Sequence, residues 1–352
     1  MRLIYGFYLL IFLFFGCHKD DPISDNTDID KPNEPLIVSR DDYFINMFTR
    51  YGDGWTGGDA TYSILLPDSR TLWLFGDTFL GTVNADRTRP SGWRFVRNTF
   101  VVQDGVNLTT LVNGSAFVSP DEAEWWYWPT DGTVHNDTLQ VILSAFRSTG
   151  GGAFGFEYAA IDLALFKLPE IELISKKRLF TDPKIAFGSC VMEDTDYIYI
   201  YGAEKISSLG KQSNIARAAH GDLRNEWEYF NGTDWVADIS QAQGIVNDVS
   251  EQFAVFKDED KYYLVTQHFL FGCEIYIWES SSPEGPWSNK RTLYCTPETG
   301  ENIFTYNAFV HPQFSVDGDL LISYNVNSFD FSDLLSNADN YRPYFIRVKN
   351  WK

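Results

Sequence analysis

Asp59 and Asp77 are the residues from which chemistry can most directly be built. They lie in residues 57–81, GGDATYSILLPDSRTLWLFGDTFLG, which read as two strands reversed by Pro67-Asp68-Ser69-Arg70. Antiparallel return sets the start of one strand beside the end of the next, so the two acids are expected to share one end of this hairpin. Two carboxylates so placed could divide acid and base work, the pairing that cleavage of a glycosidic bond requires. Plainer uses exist for each. Asp77 in Gly76-Asp77-Thr78 can cap a turn, and Asp131 in Thr130-Asp131-Gly132 can be a turn aspartate.

The elements that must position these acids form a repeat. A polar turn followed by an aromatic or β-branched run occurs five times, beginning at residues 68, 136, 194, 258 and 317, with spacings of 68, 58, 64 and 59 residues. Such a period lies near the upper end for propeller blades of four strands. Strand-like runs precede each turn (59–66, 126–134, 185–193, 250–256 and 306–314), and third strands follow, as at 158–166 and 274–280. The fifth unit shows three strands, the last at 342–348, and its missing outer strand is expected from residues 43–47. Outside the N-terminal apolar run no amphipathic helix of 12 or more residues is evident. The expected fold is an all-β five-bladed propeller over residues 40–352; a pair of β-sandwiches would show no such period.

In a propeller the first strand of each blade lines the central channel. Starts of first strands and ends of second strands then share a rim: Asp59 with Asp77, Asp131 with Arg147, Ser189 with Glu204, Glu251 with Gln267 and His268, and Asn307 with Asn325. His311 lies on the same face as Asn307 but deeper. Convergent polar groups in a concave site are the default binding hypothesis, with Trp55, in the glycine-rich approach to Asp59, as an aromatic contact. Expected roles are Asp59 as general base on water and Glu251 as general acid, with Asp77 or Asp131 tuning them and Asp77 the alternative acid. Arg147, Ser189, Gln267, His268, Asn307, His311 and Asn325 would bind substrate hydroxyls. Glu251 also has the plain alternative of facing solvent. Phosphorolysis would want a cluster of cations for phosphate, and Arg147 with His268 are too few.

Composition fits this picture. In 352 residues, 44% hydrophobic and 16% aromatic content is ample for a β-rich core. With 48 acids against 28 bases the formal charge is −20, which repels nucleic acid but leaves neutral partners unaffected. Channel acids and His311 could hold Ca²⁺, although no DxDxDG-type loop is present and no cofactor is expected. Cys273 and Cys295 flank what reads as a strand pair, where an exported protein can keep a disulfide. Cys190 reads as a small buried residue.

Arg2, the apolar residues 3–15 and Gly16-Cys17 form a secretory signal too short to span a membrane. Cys17 after a small residue resembles the lipobox of bacterial lipoproteins, with residues 1–16 as signal peptide. The following Lys19-Asp20-Asp21 resembles the export tag of surface lipoproteins in the Bacteroidetes. That resemblance implies an outer-membrane, surface-exposed protein touching the membrane only through lipid. Residues 17–39, rich in Asp, Asn and Pro, suit a flexible tether. A monomer is expected.

Trp55-Thr56-Gly57-Gly58-Asp59-Ala60-Thr61-Tyr62-Ser63 with Leu72-Trp73-Leu74-Phe75-Gly76-Asp77-Thr78 resembles the hallmark of the domain-of-unknown-function families 4185 and 5005. Phe187-Gly188-Ser189-Cys190, Tyr306-Asn307-Ala308, His311-Pro312 and Tyr341-Arg342-Pro343 support it. The resemblance implies a five-bladed propeller akin to glycoside hydrolase family 43, acting on polysaccharide, an arabinan-like furanose polymer in particular, by inversion. Asp59 and Asp77 correspond to the first-blade acids, whereas Glu251 rests on rim position alone. A non-catalytic glycan-binding lipoprotein is the alternative, needing the aromatics and tether but no acids at catalytic spacing.

Overall fold

The computed structural model describes residues 34–152, 155–208, 210–269 and 271–352. The signal, Cys17 and most of the tether lie outside them. The structure is all-β with six antiparallel sheets. Five carry the repeat, each turn falling between the first and second strands of a sheet. The first sheet runs Tyr62–Leu65, Thr71–Phe75, Thr99–Asp104, Asn107–Leu111. The second runs Trp126–His135, Thr138–Ser148, Phe156–Lys167, Glu172–Thr181. The third opens with Ile185–Glu193, Tyr197–Ser207 and Gly210–Ala219 and is extended by short strands. The fourth runs Phe253–Asp258, Lys261–Gln267, Glu274–Ser280, Ser288–Cys295.

The fifth sheet corrects one expectation. Its strands Ile303–Val310, Leu320–Ser328 and Pro343–Lys349 are completed by Ile37–Arg40, paired from Ile37 opposite Lys349 to Arg40 opposite Ile346. Residues 43–47, expected to supply this strand, are instead inside the helix Asp42–Phe48. The reason is local. The Asp41 carboxylate accepts from the Phe44 amide and caps the helix, and Phe44 and Phe48, four apart, bury both rings on one face against Trp73 and Phe345. The last residues of the expected tether, Ile37–Ser39, therefore belong to the sheet.

First strands touch one another in chain order. The fifth returns to the first through the rings of Tyr62 and Phe309, 4.9 Å apart, and a 2.6 Å hydrogen bond between Ser63 and His311. Their buried faces form the core. Outer strands are exposed: Glu172–Thr181 carries Lys176, Lys177 and Arg178, charges that discourage edge-to-edge pairing. Cys273 and Cys295 form a disulfide between the paired strands, and Cys190 is free and buried. Among the described residues no helix is long and apolar enough to cross a membrane.

The sixth sheet, Trp55–Gly58, Thr78–Leu80 and Arg94–Val96, grows out of the first. The hairpin of residues 57–81 is thus one long ribbon broken in the middle, and the break is where both acids stand.

Candidate active site

The break is made by backbone. Ala60 and Thr61 both have left-handed φ (79° and 55°), a conformation that L-residues, β-branched ones above all, adopt only when held. Distant side chains hold it. Gln252 donates to the Ala60 carbonyl, and the Asn325 amide donates to Thr61 Oγ1 at 2.9 Å and the Gly58 carbonyl at 3.4 Å. Across the break the Asp59 amide reaches the Asp77 carbonyl at 3.4 Å, and the Gly76 amide reaches the Asp59 carbonyl at 3.0 Å. The two acids are therefore backbone neighbours, as antiparallel return requires.

Gly76 makes room for the carboxyl. A Cβ there would stand 2.6 Å from Asp59 Oδ1 and 3.2 Å from Trp128. Tyr306 donates its hydroxyl to Asp59 Oδ2 at 2.9 Å, and the Tyr341 hydroxyl also favours the charged carboxylate. Burial, then repulsion from Asp77, pushes the Asp59 carboxyl up to about 7 against the pull of these donors. Burial also raises Asp77, opposed by Arg97 and by a 3.1 Å hydrogen bond from the Trp128 indole. Asp59, Asp77, Trp128 and Tyr306 all keep some accessible surface. The result is a deep pair of carboxylates, open to a ligand, that cannot both ionise freely near neutrality.

A wall of rings runs from Asp77 to Glu251. Trp128 lies 4.4 Å from Phe146, Phe146 lies 4.5 Å from Tyr158, and the Tyr158 hydroxyl donates to Glu251 Oε2 at 3.2 Å. The other Glu251 oxygen is ion-paired with Lys211, a nearly buried lysine that burial, and then Lys205, brings down to about 8. Glu251 is thus held to the ring wall on one oxygen and to Lys211 on the other, a charge-compensated group whose side chain is still 41% exposed.

Asp131 is placed differently. It is 5% exposed, at a bulge in Trp126–His135, and its two oxygens accept from the backbone amides of Gly132 at 2.9 Å and Val191 at 2.8 Å. Burial pushes it up to about 7, those two amides oppose, and Glu193 adds a smaller upward push. It fastens the second sheet to the third.

The other expected ligand contacts divide. Asn307 is half-buried at a bulge beside Tyr306, with left-handed φ of 58° and no side-chain hydrogen bond among the described residues. It remains placed for a ligand. Trp55 is 2% exposed and packs on Phe48 and Phe75, so it is core and not a sugar contact. The expectation failed because the helix Asp42–Phe48 and the strand Thr71–Phe75 cover the ring. His311 is fully buried, with Nδ1 bonded to Ser63 and Nε2 to Ser323 at 2.8 Å; burial, then Arg347, lowers it to about 3. With both nitrogens used it can bind neither substrate nor Ca²⁺, and no group of three or more His, Cys, Asp or Glu among the described residues is arranged to hold a metal. Arg147 is spent on Glu157 at 2.8 Å and Asp182 at 2.9 Å. Gln267 is buried and donates to Thr305 and to the Gly272 carbonyl, while Ser189 is buried and its carbonyl accepts from Tyr62. Asn325 holds the break, as above. His268 is exposed, in the loop beside Gly272.

Residue types alone did not single out Tyr306, Tyr341, Arg97, Tyr158 or Lys211, and offered Trp128 only as one of several rings available for stacking. Both tyrosines stand in stretches that carried the family resemblance, the only signal that could have found them.

The family model described as Domain of unknown function (DUF5005) matches residues 41–351. A crystal structure from Bacteroides ovatus, described as that of a candidate hydrolase, superposes with a TM-score of 0.79 at 27% identity, over 92% of this chain and 93% of that one. The GH43_1 enzyme from Xanthomonas citri, complexed with xylotriose, superposes at 0.53 with 15% identity over 89% of each chain, a likeness of fold. No curated protein matches the sequence.

Proposed function

The chain belongs to the DUF5005 family, and from that premise we propose that it is a glycoside hydrolase built on a five-bladed propeller, cleaving a polysaccharide by inversion. The observation that carries this is the acid pair: two partly open carboxylates at one strand break, with Asp59 poised at about 7 by burial and by Asp77. A group that must exchange a proton near neutral pH works best with such a value. The GH43_1-like fold is consistent with the same chemistry.

Asp59 is the base that takes a proton from water, oriented by Tyr306 and Tyr341. Directly opposed residues in an antiparallel pair have Cβ atoms about 4.5–5.5 Å apart, whereas an inverting acid and base stand roughly 6.5–9.5 Å apart to admit water. Asp77 therefore tunes Asp59, and the acid that protonates the leaving oxygen is Glu251, across the Trp128–Phe146–Tyr158 wall. To do so Glu251 takes up a proton as Lys211 loses its own or moves aside. An arabinan-like furanose polymer is the substrate suggested by the family resemblance. From the N-terminal pattern we also infer a lipid anchor at Cys17 on the outer membrane surface.

The test is hydrolysis of arabinan, arabinoxylan and galactan, followed by reducing-sugar release and by NMR of the first-formed anomer. Release that is lost in both Asp59→Asn and Glu251→Gln, with inverted product, is expected. Undiminished release in both variants sinks the assignment, and polysaccharide binding without any release would make the protein a glycan-binding lipoprotein.

A further inference from the structure

Five aromatic side chains among the described residues are strongly exposed: Tyr43, Tyr51, Phe95, Phe329 and Phe331. Three of these gather beside the acid pair, and the proposed chemistry uses none of them. Phe331, 44% exposed, lies 5.8 Å from Phe95, which lies 5.9 Å from Tyr341, whose hydroxyl acts on the Asp59 carboxyl. Phe329, 57% exposed, lies 4.5 Å from Phe304, which lies 5.5 Å from Tyr306, the hydroxyl donor to Asp59. Two outward paths of rings thus begin on the same carboxylate and end on one short segment, residues 328–332.

That segment is held in place. Asp330 caps the helix Phe331–Ser336 by accepting from the Ser332 amide at 2.9 Å. The Ser328 hydroxyl donates to Asp333 at 2.7 Å and accepts from the Asp330 amide at 3.0 Å. Exposed phenyl rings on a loop fixed by its own hydrogen bonds lose little freedom when a ligand stacks on them. Isolated exposed apolar side chains need no explanation, but a group of them continuous with a polar cleft marks a binding surface. Asp330 and Asp333 between and beside the rings, in a chain of formal charge −20, disfavour a polyanion. Neutral sugar rings present flat C–H faces to aromatics and bring no such penalty.

We propose that Phe95, Phe329 and Phe331 form a stacking platform for a neutral saccharide chain, extending the site well beyond the sugar at Asp59. The inference rests on the glycoside hydrolase reading of Asp59 and assigns that site a substrate longer than the unit being cleaved. Beside Asp77 the half-open rings of Trp128 and Phe156, 5.0 Å apart, add further aromatic surface to the site.

Affinity electrophoresis of the purified protein and of the Phe329→Ala/Phe331→Ala double variant, through gels containing soluble linear arabinan, arabinoxylan or galactan, tests the platform. At least one polymer is expected to retard the parent, and the double variant's apparent Kd for it should rise about tenfold or more. Its kcat/KM on that polymer should fall about tenfold relative to the same variant's kcat/KM on a nitrophenyl glycoside. Equal retardation of both proteins overturns the platform, as does a parent that no polymer retards. A parent that sediments as a dimer while the double variant is a monomer also overturns it, assigning the patch to a second copy of this chain. Failure of the underlying reading looks different: Asp59→Asn would still hydrolyse the polymer, whatever the gels show.

Discussion

Asp59 and Asp131 each sit where a first strand is interrupted, in neighbouring sheets, and burial pushes both up to about 7. Their partners separate them. Asp131 gives its oxygens to two backbone amides and is shut away, whereas Asp59 accepts from the Tyr306 hydroxyl, faces a second carboxylate and stays partly open. A raised carboxyl is therefore not a functional mark by itself. What distinguishes a working acid is that its partners are side chains and that a ligand can reach it.

The largest expected effect follows from this difference. Asp59→Asn should lower kcat/KM on the polymer by about 10²–10⁴-fold, the range for loss of a general base. It should not lower stability. A carboxyl whose folded value exceeds its unfolded one stabilises fully below about pH 3.8 and loses that contribution as pH rises through about 7. An amide in its place removes the loss, so the variant's Tm should decline less than the parent's between pH 5 and 8. An active variant, or an equal decline, breaks the contrast.

Asp131→Ala should do the opposite. It leaves the amides of Gly132 and Val191 without acceptors, each unsatisfied group costing about 1–3 kcal/mol. Urea unfolding at pH 5 should show a loss of about 2–4 kcal/mol. The protein still folded at that pH should keep most of its activity. If instead activity vanished with stability intact, Asp131 would belong with Asp59.

How much of this was legible depended on distance along the chain. Residues 185–193 and 274–280 are strands with the expected bounds, because alternation and flanking turns are local signals. The adjacency of Asp59 and Asp77 was legible for the same reason. The break between them was not: Ala60 and Thr61 carry no mark of left-handed backbone, which Gln252 and Asn325 impose from other sheets. Tyr306 and Tyr341 likewise reach Asp59 from the far end of the chain. Trp55 misled because an exposed position and a covered one look alike until Phe48 and Phe75 close over it from the helix and the first sheet. The outer strand of the fifth sheet was sought in residues 43–47, where Phe44 and Phe48 read equally well as strand or helix, and the Asp41 cap decided.

Gly76 offers a gentler probe of the open site. An Ala Cβ there would meet Asp59 Oδ1 at 2.6 Å and must turn the carboxyl away from Tyr306. Misplacing a reacting group by about an ångström can cost roughly 10²-fold. Gly76→Ala should therefore reduce kcat by up to about that factor while the protein melts within a few degrees of the parent, about the shift expected for 1 kcal/mol in a chain of this size. A Gly→Ala change that left kcat intact would mean the carboxyl works from a different position.

The smallest effect is the most specific. Asp77 raises Asp59 through its charge, so Asp77→Asn should let Asp59 ionise at lower pH. The ascending limb of kcat/KM against pH, set by deprotonation of the base in the free enzyme, should move down from about 7. The other limb, which does not depend on Asp59, should stay where it is. The amide can still accept from Trp128, so the ring wall is preserved. A shift of both limbs would mean that Asp77 is itself the acid, and no shift would mean that burial alone sets Asp59, leaving it distinguished from Asp131 by access and not by its carboxylate neighbour.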